Sequence, residues 1–410
     1  MLAVLYEISK DLSLPALLLD LDALDQNCQR IAEKANRKTI RIATKSIRSV
    51  PVLKRILQSN PVFKGVMCYS PHEAIFLAEQ GIEDILIGYP CWDAKAHAEI
   101  AKLNAKGTQI TCMVDSYIQV KQLNEIAKKV NGFFYLCIDI DMSTTFGNLH
   151  FGVRRSPLIT EEDVIHLARY IKEFPTLKLL GIMGYEAQIA GVCDHLPSQK
   201  LKNIAVTYMK KKSINQIKLR RERIVQSLNS EGLQLAFVNG GGTGSLDTTS
   251  KEESVTELTA GSGFYSPLLF DYYRNFRFTP ALFFALPIVR KPTSNIYTCL
   301  GGGYVSSGAH GQDKVPVPIY PPGGKLLPFE GAGEVQTPVY YKKATLEIGD
   351  TIIFRAAKAG EICERFNEIL CLANHQVVDQ YLTLPIGGKV NAFSNKNKTK
   401  KTLEKLVKNV

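Results

Sequence analysis

The chain has no uninterrupted apolar run approaching eighteen residues, so nothing in it reads as a transmembrane helix. Its nine cysteines contain no C-x-x-C pair, and their odd number argues against a disulfide framework. The opening Met1-Leu-Ala-Val-Leu-Tyr-Glu7 lacks a basic segment ahead of its apolar stretch, so a signal peptide is not expected and a cytosolic location is. Low-complexity tracts and internal repeats are missing ahead of a lysine-rich tail. Hydrophobic residues make up 45% and charged residues 22%, the balance of a globular chain rather than a disordered one. At 410 residues the chain exceeds what one ordinary core organises, and two domains are expected.

The formal charge of +11 would suggest a polyanionic partner if it were spread over the chain, but it is confined to two segments. One is 210–223, with Lys210, Lys211, Lys212, Lys218, Arg220, Arg221 and Arg223 against Glu222; the other is the tail from Lys396. Neither interleaves aromatics with its charges, so they read as a solvated helix face and a frayed tail, and no nucleic-acid partner is expected.

The first 240 residues alternate β-rich runs with segments of helical period. Strand-like runs fall at Pro15–Leu19, Thr39–Ala43, Gly65–Cys68, Asp84–Ile87, Gln109–Val114, Phe133–Asp139, Lys178–Ile182 and Gln234–Val238. Amphipathic segments such as Ser70–Gln80, Ala94–Ala105, Ser116–Lys129 and Glu161–Lys172 lie between them. Eight such alternations predict an α/β fold of the (β/α)8 TIM-type barrel kind, although a doubly wound sheet would show the same period. After about Tyr273 prolines, glycines and β-branched runs take over, with strands expected at Leu282–Val289, Asn295–Leu300, Pro338–Lys343 and Asp350–Phe354. The expected organisation is a barrel over 1–272, whose first strand could join the second domain, a β-rich domain over 273–394, and a basic tail over 395–410.

Two local patterns carry chemistry. Lys45 directly follows the Thr39–Ala43 strand, at the end where such barrels keep their active sites, and Arg41 and Arg48 nearby would favour its neutral, nucleophilic form. Val238-Asn-Gly-Gly-Gly-Thr-Gly-Ser245 follows the last strand of the alternating half, and its glycines let several backbone N–H groups converge on one anion. Without a following lysine it is no triphosphate loop, and it is not a clean dinucleotide fingerprint. A strand-end lysine, a phosphate cradle and a trailing β domain together suggest pyridoxal phosphate.

The segments Leu14-Pro-Ala-Leu-Leu-Leu-Asp-Leu-Asp22, Ile138-Asp-Ile-Asp141 with His150-Phe-Gly-Val153, Gly181-Ile-Met-Gly-Tyr-Glu186 and Gly240-Gly-Gly-Thr-Gly-Ser245, in this order with Lys45, resemble the fold type III pyridoxal phosphate enzymes. The similarity runs from about residue 14 to 390 and is greatest to the branch of D-threonine aldolase and eukaryotic-type D-serine dehydratase, with alanine racemase more distant. The resemblance implies that Lys45 holds the cofactor as a Schiff base, that Gly241, Gly242, Thr243, Gly244 and Ser245 bind its phosphate with help from Tyr265, and that Tyr185 sets the tilt of its ring. His150 stands where the family has arginine. Gln188 occupies the place of a proposed base, which an amide cannot fill. Glu361 and Cys363 stand where metal-dependent members have His-x-Cys or His-x-Asp, so a divalent metal is not expected, though carboxylate and thiolate can ligate zinc. Tyr304, His310, Glu334 and Gln336 are implied substrate contacts, in a homodimer whose subunits complete each other's sites.

The function expected is a lyase acting on a small amino acid, of D configuration and β-hydroxylated, by retro-aldol cleavage or by dehydration and deamination. The alternatives are an amino-acid racemase, a non-catalytic carrier of the cofactor, and a phosphate-binding barrel enzyme without it.

Overall fold

The computed structural model describes residues 1–384 apart from Ser198 and His310. The expected substrate contact His310, the end of the proposed β-rich domain and the basic tail lie outside the described residues.

Eight parallel strands close into a barrel: Thr39–Ala43, Phe63–Cys68, Ile85–Ile87, Ile110–Val114, Phe134–Asp139, Leu177–Gly184, Phe237–Gly240 and Glu257–Ala260. They read as short apolar runs because helices cover the outside while the inside is filled by Leu86, Met113, Cys137, Met183 and Phe237. Local signals start the helices where expected. Ser70 caps Pro71–Glu79 by accepting from the Glu73 N–H at 3.2 Å, with proline at the first helical position. Thr160 and Asp163 form a reciprocal cap on Glu161–Lys172.

The strand count of eight was right but its membership was not. Ala16–Asp20 leaves the barrel and enters the second sheet, pairing antiparallel with Leu282–Thr293 and parallel with Glu368–Ala373. The eighth barrel strand is Glu257–Ala260, a four-residue segment opening on a charged residue and too short to show a period. The glycine turn therefore follows the seventh barrel strand, not the last.

The β-rich region is a nine-stranded sheet organised on Leu282–Thr293, which also pairs with Ile296–Leu300 and Thr351–Arg355. Phe276, Phe278, Phe283 and Phe284 are buried, whereas Trp92 is exposed.

The 31-residue helix Lys200–Ser230 gave no amphipathic signal because half of its inward stripe is polar: Asn203, Lys210, Ser213 and Arg221 are interspersed with Val206, Ile217, Ile224 and Leu228. The solvated-face reading of its basic residues needs correction at two positions. Lys210 pairs with Asp194 at 3.2 Å, and Arg221 is fully buried between Glu186 and Glu252. No helix among the described residues is long and apolar enough to cross a membrane.

Candidate active site

A cavity of about 1000 Å³ opens at the C-terminal ends of the barrel strands and is roofed by the β-rich region. Lys45 lies on its wall, in a helical turn that directly continues Thr39–Ala43, and its Nζ donates to the Tyr89 phenol oxygen at 2.7 Å. The segment carrying Lys45 is pinned from several sides. Tyr265 Oη donates to the Ile47 carbonyl at 2.8 Å, Leu384 N–H donates to the Arg48 carbonyl at 2.8 Å, and Gly360 packs against the Lys45 backbone.

The two arginines expected to repel Lys45 are both neutralised. Arg41 lies inside the barrel, held by Glu257 at 2.8 Å and Asp84 at 3.0 Å. Arg48 is bound by Glu364 and Tyr69. A buried guanidinium needs such partners, because an unpaired one would carry a large desolvation cost.

At the glycine turn, Gly241 adopts the left-handed region at φ +86°, and a Cβ on Gly242 would stand 2.9 Å from Ala190 Cβ. Thr243 Oγ1 accepts from the Gly261 and Gly263 N–H groups at 3.3 and 3.2 Å. This ties the turn after the seventh strand to the loop after the eighth. The N–H groups of Thr243 and Ser262, both on the cavity wall, have no acceptor among the described residues. Backbone donors converging where side chains are excluded make a site suited to a phosphate, in the same cavity as a free amine.

The structure brings together some of the expected residues and separates others. Lys45, Tyr185, Gly241, Gly242, Thr243, Tyr304 and Glu361 line the cavity. Ser245 does not, since its hydroxyl donates to buried Glu186 at 2.8 Å, and Gly244 packs under Ala190. Tyr265 is wholly buried behind Lys45, so its phenol supports the loop rather than facing the cavity. His150 sits on the small hairpin Thr144–Phe146/Leu149–Phe151 with its Nε2 3.3 Å from the Val153 carbonyl, away from the wall. Gln188 is buried and donates to the Met142 carbonyl at 2.6 Å. Glu334 and Gln336 lie in the β-rich region outside this cavity. The Glu361 and Cys363 side chains diverge: Glu361 accepts from Ser307, while Cys363 is buried and its thiol is pushed up to about 12 by desolvation.

Four wall residues had been given no role, although one of them, Asp139, belongs to the Ile138–Asp141 segment. Tyr89 stands two residues beyond the Ile85–Ile87 strand, a position that strand-end reasoning could have flagged. Arg155 lies over the rings of Tyr89 and Tyr185, with its guanidinium carbon 5.7 and 5.8 Å from their centroids. It supplies a cation where His150 does not, five residues further along the chain. Asp139 ends the Phe134–Asp139 strand, and its carboxyl is pushed up to about 7, chiefly by burial and further by Asp115, against the pull of Arg155. Lys358 comes from the β-rich side and carried no local sequence signal. Burial also raises the Tyr185 phenol to about 12, so it stays protonated at neutral pH.

A family profile described as alanine racemase, N-terminal domain, matches residues 19–266. The chain is 29% identical over 266 residues to a 3-hydroxy-D-aspartate aldolase of Paracoccus denitrificans (strain Pd 1222), covering 64% of this chain and 62% of that protein. It is 23% identical over 294 residues to a D-threonine aldolase of Arthrobacter sp, covering 68% of each. The first of these alignments thus spans about three-fifths of the relative's length. Among solved structures, the D-threonine aldolase from Filomicrobium marinum superposes with a TM-score of 0.76 at 19% identity over 91% of this chain and 95% of that one. The D-threo-3-hydroxyaspartate dehydratase from Delftia sp. HT23 gives 0.73 at 17% identity over 92% and 98%. At these identities the structural likeness carries the fold.

Proposed function

The chain belongs to the alanine racemase N-terminal domain family, and on that premise we propose that it is a pyridoxal phosphate-dependent lyase acting on a small β-hydroxy D-amino acid. The observation that carries this reading is the placement of the Lys45 amine and the glycine turn in one cavity at the C-terminal mouth of the barrel. The relatives named as aldolases of β-hydroxy D-amino acids support the reaction type.

The residues present fit the cofactor. Thr243 and Ser262 N–H groups would take its phosphate, Lys45 its aldehyde carbon, and Tyr185 with Arg155 would flank its ring. When bound, pyridoxal phosphate withdraws electrons from the substrate Cα and so weakens the bonds to that carbon.

The protein's own contribution is positional. Tyr89 holds the Lys45 Nζ in one direction, so the amine is presented to the cavity rather than swinging through it. Arg155, fixed over two aromatic rings, offers a planar set of donors suited to a carboxylate. Asp139 Oδ can gain or lose a proton near neutral pH. The β-rich region contributes Tyr304, Ser307 and Lys358 to the cavity wall.

The homodimer is part of the same proposal. Glu334 and Gln336, outside this chain's own cavity, flank exposed Val335, and Leu300 and Val305 are exposed on the same region. A second copy covering that edge would bury apolar surface. Light scattering of the eluting protein tests it, and a monomer at micromolar concentration contradicts it.

The experiment for the cofactor is an absorbance scan of the purified protein with added pyridoxal phosphate, before and after borohydride, followed by peptide mapping. A band that bleaches and leaves its adduct on Lys45 supports the reading. An adduct on another lysine refutes it.

A further inference from the structure

We infer that Lys358 sets the substrate class: its ammonium binds a carboxylate on the substrate's side chain, so the site takes β-hydroxy amino dicarboxylic acids ahead of those with neutral side chains. This rests on the lyase reading above. The relatives do not decide the point, because their names include substrates of both kinds.

Lys358 follows the Thr351–Arg355 strand by three residues and reaches the cavity from the roof. Its Nζ donates to the Ser307 carbonyl at 2.6 Å and the Ser307 hydroxyl at 3.2 Å. Those two bonds aim an otherwise flexible side chain. The nearest carboxylate, Glu361, stands 3.8 Å away, beyond hydrogen-bond reach, and already accepts from the Ser307 N–H and O–H at 2.7 Å each. The roof's other cavity-lining carboxylate, Glu364, is taken by Arg48. Adjacent Arg365 lines the cavity with no carboxylate at ion-pair distance among the described residues. The roof thus offers Arg365, with no ion-pair partner among the described residues, and Lys358, whose one ion pair is long at 3.8 Å.

Burial lowers the proton affinity of Lys358, opposed by the charge of Glu361 and reinforced by those of Lys314 and Lys45. An anion beside the half-buried Lys358 ammonium is held more strongly than in water, because the effective dielectric constant is lower. Lys358 shares the cavity with Lys45, so a substrate bound there would meet its ammonium from the roof side.

The test uses the full-length protein loaded with pyridoxal phosphate, and the probes are D-threo-3-hydroxyaspartate and D-threonine, which differ in carboxylate against methyl. The wild type is expected to favour the dicarboxylate in kcat/KM. Lys358→Met should lower that preference roughly 10- to 100-fold, mainly through KM, with D-threonine little changed. Lys358→Arg should retain most of it, and Ser307→Ala, which loosens the ammonium without removing its charge, should shift it a few-fold. Succinate competition should weaken in the Met variant alone. An equal loss on both substrates, an unchanged ratio, or a fall in cofactor affinity in Lys358→Met would each overturn the assignment. If the wild type forms a Lys45 adduct and cleaves D-threonine as well as the dicarboxylate, only Lys358 is misassigned. If no Lys45 adduct forms, the lyase reading itself has failed.

Discussion

Lys45 Nζ and Tyr89 Oη meet at 2.7 Å, joining the ends of two barrel strands that are 44 positions apart in sequence. The same ammonium stands 5.4 Å from the Tyr89 ring centroid, so one residue supplies both a hydrogen bond and a π face to the amine. The pair fixes the direction of the cavity's reactive group before any ligand arrives.

Replacing Tyr89 with Phe keeps the ring and removes the acceptor. Turnover is expected to fall roughly 10-fold, in line with one charge-assisted hydrogen bond, while the borohydride-trapped adduct on Lys45 persists. Peptide mapping beside steady-state rates checks both. Loss of the adduct would mean that Tyr89 is needed for attachment rather than direction.

Lys45→Ala should abolish the trapped adduct and lower turnover by at least about 1000-fold, since no other cavity amine can replace a covalent attachment point. Residual turnover with a new adduct on Lys358 would show that the two amines exchange roles.

Gly360 has φ +81°, and a Cβ there would collide with the Lys45 carbonyl. Gly360→Ala should therefore cost about 2–4 kcal/mol from left-handed strain plus overpacking. It should also weaken cofactor binding by displacing the lysine. A thermal melt together with a cofactor titration reads both effects. An unchanged melting temperature would mean that the roof yields freely.

Asp139 has a folded pKa of about 7 against an ordinary 3.8, so the folded chain binds more protons than the unfolded chain between those values. Stability should fall as pH rises from about 4 to about 7 and level off above, by at most about 4 kcal/mol. Asp139→Asn removes that slope. Urea titrations across the range compare the two proteins, and parallel curves would contradict the assigned environment.

Arg221→Ala leaves Glu186 and Glu252 buried without their cation and should destabilise by about 3–5 kcal/mol, whereas exposed Arg223→Ala should stay within about 0.5 kcal/mol. Chemical denaturation separates them, and similar midpoints would show that the buried carboxylates find other partners. Sequence position does not distinguish these arginines. Both belong to one basic run, and only the burial of every third or fourth residue on that helix separates a network member from a surface charge.

The chain's order of short apolar runs and capped helices determined by itself that a parallel α/β arrangement, barrel or doubly wound, would precede a β-rich region, because periodicity and turn chemistry are local properties of the residues. It also marked Lys45 and the glycine turn, since the end of a strand and a cluster of glycines are visible without contacts. Which strands closed the barrel was decided only in three dimensions, where Glu257–Ala260 pairs with Phe237–Gly240 and Thr39–Ala43 while Ala16–Asp20 finds the other sheet. The same holds for the company Lys45 keeps. Tyr89, Arg155, Asp139 and Lys358 come from loops and strand ends far apart along the chain, and their convergence depends on barrel closure and on the roof, neither of which leaves a local pattern.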